Sequence, residues 1–324
     1  MRYFFTQHEL EQYEYKRKLK KDMNIAGGFL LATQLVINVI VEILGVFLKN
    51  TEFTDINKTT LLMILNSIIS ISAFFITGII YCGVSKIKIS EIVYFEKNKS
   101  SVIIPLCILG LSIAMIANYF SSVIIGLFDM FGIDASSDIN YEFNNAFDII
   151  IFYISIAIVP AFVEEFAFRG VLLGILRKYS DSLAILVSSI MFGLMHGNFM
   201  QIPFAFIVGL ILGYITVKSN SMLPAMIIHF LNNAISVTIS LLSECGLSTG
   251  ILNLMYSLFM IIIAIGGIVS FKKLSNTHKG LFMLSSKDEK LPYKEKVKIF
   301  ITSPTIIIFS ILIIFEAIMS LKIG

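Results

Sequence analysis

The stretch Val-Glu-Glu-Phe-Ala-Phe-Arg, residues 163–169, places two adjacent carboxylates and one arginine inside an apolar run that extends over about 147–176. An ionisable side chain in the middle of a bilayer costs roughly 2.5–3.5 kcal/mol on insertion scales. Three such groups within six residues therefore indicate either a structural ion pair between helices or a chemical function.

The whole chain is as apolar as this run. Of its 324 residues 56% are hydrophobic and 15% are charged, and the mean hydropathy is +0.86, whereas soluble domains carry about 25% charged residues. The apolar residues form long runs, and about 20 of them span the hydrocarbon layer as a helix. Because lipid offers no partner for free backbone groups, these runs predict an all-α, polytopic transmembrane helix bundle of about eight to nine spans.

Nine apolar segments are candidates for these spans, although the fifth is short for a crossing. They are residues 25–48, 61–84, 102–128, 147–176, 183–195, 202–217, 222–242, 252–271 and 299–321. Lysine and arginine concentrate before the first segment and after every second one, which is the positive-inside pattern. We therefore expect a multi-pass protein of the cell membrane, with residues 1–22 as a cytoplasmic N-terminal segment and residues 23–324 as a single membrane domain.

Partners other than the lipid bilayer leave little trace in the composition. The three cysteines form no CxxC pair and no disulfide framework. No surface of interleaved basic and aromatic residues suggests nucleic acid, so we expect no nucleic-acid partner.

Helix geometry separates the two adjacent glutamates. At about 100° per residue, Glu164 and Glu165 cannot face the same direction. Glu165 and Arg169 are four residues apart, so they share a face and can pair. Glu164 is then the unpaired carboxylate, which at this depth should hold a proton or a water molecule and is a candidate general base. The alternative is that both glutamates serve pairing between helices.

Two of the four histidines also lie in apolar segments. Phe192 and His196 share one face of the fifth segment, and His229 and Asn233 share one face of the seventh. Asn233 could orient His229 or donate a hydrogen bond to a developing oxyanion. Asn232 points elsewhere, and we expect it to bond to a neighbouring helix, which is also the structural alternative for each histidine.

The depths of these residues agree only in part. Counted from the inner end of each helix at about 1.5 Å per residue, Glu164 lies about 20 Å deep, His196 about 21 Å and His229 only about 11 Å. Either the seventh helix begins deeper in the membrane or the fourth projects into the cytoplasm. Glu316, alone in the last apolar segment, is expected to be structural or interfacial.

Three motifs together carry a family resemblance: Glu164-Glu165-x-x-x-Arg169, Phe192-x-x-x-His196 and His229-x-x-x-Asn233. They resemble the signature of the CAAX protease and bacteriocin-processing (CPBP) family, which includes the type II CAAX prenyl endopeptidases. Each motif alone is unspecific, but all three occur in order and each lies in a membrane span. The resemblance covers about residues 147–240, which would be the catalytic core.

The resemblance implies an intramembrane endopeptidase, a hydrolase that cleaves a peptide bond near the cytoplasmic face of the membrane. Glu164 would activate the attacking water and His196 would help to hold it, while His229 and Asn233 would form the oxyanion site. Structural support is implied for three residues: Glu165, Arg169 and Phe192.

The substrate implied by the resemblance is a peptide or protein with an apolar or lipidated segment. A second hypothesis is a non-catalytic membrane immunity or scaffold protein that binds a partner peptide in the same cavity. A third is a transporter with a proton relay, against which the absence of internal repeats counts.

The resemblance also implies a metalloprotease, so the cofactor is either none or one divalent metal ion. Zinc is the metal that Glu164, His196 and His229 would suit, with the fourth position left for water. No HExxH pair is present to place two ligands on one helix. We slightly favour a glutamate-activated water without metal, because Asn233 beside His229 suits an oxyanion site better than a ligand shell.

Overall fold

The computed structural model of the chain describes residues 6–49, 57–130, 133–134, 143–282, 290–319 and 322–323. The helices are α1 Gln7–Lys49, α2 Lys58–Val84, α3 Ile89–Ile92, α4 Ser100–Met130, α5 Ala146–Arg177, α6 Asp181–Met195, α7 Gln201–Ser219, α8 Leu223–Glu244, α9 Thr249–Thr277, α10 Tyr293–Ile301 and α11 Pro304–Met319. A 3-10 turn, Lys279–Phe282, follows α9, and two-residue strands β1 (Ile133–Asp134) and β2 (Lys322–Ile323) pair antiparallel. The predicted all-α class is confirmed.

Seven of the described helices are long and apolar enough to cross a membrane, namely α1, α2, α4, α5, α7, α8 and α9. α10 and α11 are bent by 58° relative to each other and form an eighth span only if they act as one. α6 has 15 residues, which gives a length of about 22 Å at 1.5 Å per residue, short of a hydrocarbon core of about 30 Å. Each of the nine predicted segments is helical over most of its described residues, and the described helices offer seven or eight crossings.

The described part of the predicted N-terminal segment is helical and continuous with the first predicted span, since α1 runs without a break from Gln7. Contacts with the turn between α5 and α6 hold this part of α1 in place. The hydroxyl of Tyr179 donates to Asp22 at 2.6 Å, and Lys178 pairs with Asp22 at 2.7 Å. Burial, and then the neighbouring Asp22 carboxylate, raise the pKa of Tyr179, so its hydroxyl stays a donor. α1 is thereby attached to the end of the helix that carries both glutamates.

Inside the apolar part of the bundle, α1 also binds α11 through polar side chains. Glu316 accepts hydrogen bonds from Gln34 at 2.9 Å and from Asn38 at 3.3 Å. Amide donors of this kind satisfy a carboxylate that would otherwise be costly in lipid. Glu316 therefore has the structural surroundings that we expected for it.

α5 is irregularly wound around the two glutamates. π-helical segments Ile154–Ile158 and Phe166–Leu172 flank the α-helical piece Val159–Glu165. Single π turns inside α-helices are frequent at functional sites. Within the flanked piece, Pro160 has no N–H to donate to the preceding turn of the helix.

α6 and α7 approach each other closely because small residues lie between them. A Cβ at Gly209 would lie 3.0 Å from the Cα of Ser189, and a Cβ at Gly193 would lie 3.0 Å from the carbonyl oxygen of Ile202. Small residues allow such close packing of helices in membranes. The close approach brings the carbonyl of Gly209 within 3.3 Å of the Arg169 guanidinium.

We predict that Gly209→Ala lowers the thermal stability of the purified protein in detergent, because the added methyl group meets backbone that cannot move aside. Overpacking of this kind costs about 1–3 kcal/mol. Gly126→Ala in α4 is the matched control, since nothing lies within 4 Å of a Cβ at that position. Equal melting temperatures for the two variants would contradict the close packing of α6 on α7.

Candidate functional site

Glu165 is the central acceptor of the site. Its Oε1 lies 3.1 Å from Nη1 of Arg169, and neither side chain of this ion pair has any exposed surface. The same Oε1 accepts a hydrogen bond from Nδ1 of His229 at 2.9 Å. The pair predicted from the spacing on α5 is therefore present, and it extends to a histidine on α8.

Arg169 connects this pair to α6 and α7. Its Nη2 donates to the carbonyl of Gly209, and its guanidinium carbon lies 4.4 Å from the centre of the Phe192 ring. The planar, permanently charged guanidinium suits simultaneous pairing and stacking in a way that lysine does not. The Phe192 ring centre also lies 5.0 Å from that of His196 and 6.0 Å from that of His229, so this ring packs against the arginine and both histidines.

Glu164 points away from Arg169 and into a cavity of about 240 Å³. Its side chain is 18% exposed, and its Oε2 lies 3.9 Å from Nε2 of His229. This separation is too long for a direct hydrogen bond. His196 and Asn233 line the same cavity, so the structure brings the four predicted catalytic side chains together.

The hydrogen bond of His196 defines which of its ring nitrogens is free. Nδ1 lies 2.8 Å from the carbonyl oxygen of Phe192. A carbonyl can only accept, so Nδ1 carries the proton in this contact. In the neutral ring Nε2 then has a lone pair, which is available as an acceptor.

A relay of amides holds Asn233. Asn118 on α4 donates to Oδ1 of Asn232 at 2.8 Å, Asn232 donates to Oδ1 of Asn233 at 3.3 Å, and Asn233 donates to the carbonyl of Ile156 at 3.1 Å. The last acceptor is a backbone carbonyl, and because it cannot donate, it sets the direction of every amide in the relay. The predicted inter-helix bond of Asn232 is present.

Of the two roles expected for Asn233, the orientation of His229 is not the one observed. Asn233 does not bond to the imidazole, because its amide is committed to Ile156 and Asn232. Glu165 orients the ring instead. The spacing on α5 predicts only the pair of Glu165 with Arg169. Because a carboxylate can accept several hydrogen bonds, a second partner for Glu165 could have been expected from its chemistry.

His229 reaches the cavity because α8 begins below the surface of the bundle. Ser221 and Met222, at the turn before α8, are buried. The N–H of Met222 donates to the carbonyl of Tyr94 at 2.8 Å, and Phe95 forms a bridge with Ser221. The segment after α3 thus covers the turn before α8.

The side chains of the cavity are not arranged as a metal-ligand set. Among the residues that the structure describes, no three His, Cys, Asp or Glu side chains are placed to hold a metal. Nδ1 of His229 is engaged by Glu165 and Nδ1 of His196 by Phe192. The donor types would suit zinc, but together with Glu164 the two remaining Nε2 atoms do not form a ligand set.

Comparison with known proteins agrees with the region that carries the site. Residues 146–235 match the family model described as type II CAAX prenyl endopeptidase Rce1-like. The resemblance to the CPBP family is thereby confirmed. A relative is the membrane-embedded CAAX protease MroQ of Staphylococcus aureus (strain USA300), which is 29% identical over 176 residues that cover 51% of this chain and 70% of the relative. No solved structure matches the chain significantly.

This CPBP resemblance and the helices described above support a multi-pass membrane protein with a protease kind of function. The matched residues contain all seven positions that the sequence motifs singled out. The matched region ends before α9, so the last helices lie outside it.

We predict that Arg169→Ala sharply lowers the yield of folded protein, because it leaves the Glu165 carboxylate buried without its cation. Breaking a buried pair in this way costs about 3–5 kcal/mol. The measurement is the monodisperse fraction in size-exclusion chromatography together with the melting temperature.

The matched control for Arg169→Ala is the double variant Glu165→Gln/Arg169→Met, which removes both charges and keeps similar volumes. We expect it to recover part of the lost stability, since neutral replacement of a buried pair is often tolerated. A wild-type melting temperature for Arg169→Ala alone would show that the pair is dispensable for folding.

Proposed function

We propose that the chain is an intramembrane endopeptidase in which Glu164 activates water for hydrolysis of a peptide bond. The observation that carries this proposal is the Glu164 carboxylate, which lines a cavity of about 240 Å³ and faces Nε2 of His229 across 3.9 Å. Its neighbour Glu165 instead uses Oε1 to pair with Arg169 and His229. A carboxylate with open lone pairs beside two imidazoles is suited to general base catalysis.

The first step uses His196 and Glu164 on the same water molecule. Nε2 of His196 accepts one water proton as a hydrogen bond, since its Nδ1 is the donor to Phe192. Glu164 takes the other proton while the water oxygen bonds to the carbonyl carbon of the substrate. The product of this step is a tetrahedral oxyanion.

Asn233 stabilises that oxyanion with its second amide N–H, because the first is used on Ile156. A preorganised donor of this kind contributes about 2.7–4 kcal/mol in known oxyanion holes. His229 assists whenever its Nε2 carries a proton, with Glu165 holding the opposite nitrogen. When the intermediate collapses, the C–N bond breaks and the proton on Glu164 passes to the leaving amine.

We place the protein in the cell membrane with its N-terminus in the cytoplasm. Lys21 of α1, Lys86 after the end of α2 and Lys178 after the end of α5 line one groove. Basic groups gathered on one face agree with the positive-inside pattern. The substrate in this proposal is a peptide or protein with an apolar or lipidated segment that reaches the site through the bilayer.

We predict that Glu164→Ala abolishes cleavage without changing the folded yield, because Glu164 is not part of the buried ion pair. The measurement compares membrane-peptide products by mass spectrometry between cells with the wild type and cells with the variant. Glu316→Gln is the control, since it alters an intramembrane glutamate that binds Gln34 and Asn38 instead. Wild-type products from Glu164→Ala, or a cellular function that survives Glu164→Gln, would favour the non-catalytic scaffold.

We predict that a strong chelator leaves most of the activity intact, because the described side chains include no metal-ligand set. The rate of peptide cleavage by purified protein is measured before and after treatment with a chelator and after addition of zinc. Loss of the activity on chelation and its return with zinc would reverse this prediction.

A further inference from the structure

α2 contributes a polar wall to the cavity of Glu164, although it lies outside the segment that matches the family model. Asn66 and Ser70 line the cavity from this helix. They are four residues apart and therefore on one face of α2. Other parts of the wall are apolar, including Pro160, Phe204 and Val208.

The orientation of the Asn66 amide follows from its neighbours. The hydroxyl of Ser155 donates to the carbonyl of Met63 at 2.8 Å, and this uses its single proton. Ser155 can then only accept, so the group that Asn66 presents to it at 3.2 Å is the amide nitrogen. Oδ1 of Asn66 has no hydrogen-bond partner among the residues that the structure describes.

A peptide that enters such a cavity needs acceptors for its backbone N–H groups. In a membrane interior an unpaired N–H costs several kcal/mol, because neither water nor lipid supplies a partner. Glu164 and the histidines are committed to the reaction in the proposed mechanism. Asn66 is a neutral acceptor with a defined direction. Asn66 and Ser70, four residues apart, are separated by about 6 Å along the helix, which is close to the roughly 6.6 Å between alternate residues of an extended strand.

We infer that Asn66 binds a backbone N–H of the substrate close to the scissile bond. The inference rests on the proposed function, since it identifies the substrate as an extended peptide backbone in the same cavity. It also sets a specificity: a residue without an N–H, such as proline, is disfavoured at the position that faces Asn66.

The test measures peptide binding to the full-length Glu164→Gln protein, with and without Asn66→Ala. The probes are short synthetic peptides rich in leucine and alanine, each also prepared with one backbone nitrogen methylated at a time. We expect methylation at one position to weaken binding by about 3- to 10-fold, the range of a single hydrogen bond. In the Asn66→Ala protein the unmethylated peptide already binds more weakly by that factor, and methylation weakens its binding no further.

Ser67→Ala is the control for the inference, since its hydroxyl bonds to Met63 within α2 and does not line the cavity. If Asn66→Ala does not fold, Ser155→Ala replaces it, because it keeps the amide but releases its orientation and should reduce the methylation effect. The inference would be overturned if methylation weakened peptide binding equally with and without the Asn66 amide. It would also be overturned if no peptide bound saturably.

The two proposals fail separately in this design. Cleavage by the wild type tests the proposed function, whereas binding is measured in a protein that already lacks the Glu164 carboxylate. If binding depends jointly on Asn66 and one peptide N–H but no cleavage is detected, the protein binds peptides without being a protease. Cleavage without that coupling would keep the protease and remove Asn66 from its substrate site.

Discussion

A single carboxylate oxygen, Oε1 of Glu165, determines how the site is assembled. It receives Arg169 from its own helix and His229 from α8, and Arg169 in turn reaches α7 through Gly209 and α6 through Phe192. A buried ion pair contributes little net stability unless it is well hydrogen-bonded, but removing one partner is severely destabilising. The four helices around Glu165 are therefore held in one arrangement, and that arrangement points Nε2 of His229 toward Glu164.

The two neighbouring glutamates have different surroundings because a helix turns by about 100° between them. Glu165 faces the protein interior and is fully buried, while Glu164 faces a cavity and keeps open lone pairs. The winding of α5 reinforces this separation: π-helical turns flank the piece that carries both residues. The carbonyl of Ile156, in the first of these π-helical segments, accepts a hydrogen bond from Asn233, so the backbone of α5 fixes the position of an amide on α8.

The meeting of Glu164 with His196, His229 and Asn233 was expected from the family resemblance, whereas the helices and the Glu165–Arg169 pair follow from hydropathy and helical spacing alone. The bond between Glu165 and His229 does not, because spacing relates residues within one helix and not across 64 positions. The same holds for Asn118, which binds Asn232 from α4. The length of α6 and the burial of the turn before α8 depend on where a helix stops and on which segment covers a turn, and hydropathy windows average over both.

The most direct test of this account measures thermal unfolding and peptide cleavage for Glu164→Gln and Glu165→Gln, prepared in parallel. The account predicts that Glu164→Gln melts at the wild-type temperature and does not cleave. Glu165→Gln should melt at a lower temperature, because Arg169 loses its buried counter-charge. A stable, fully active Glu164→Gln would contradict the account, as would a Glu165→Gln protein that retains wild-type stability.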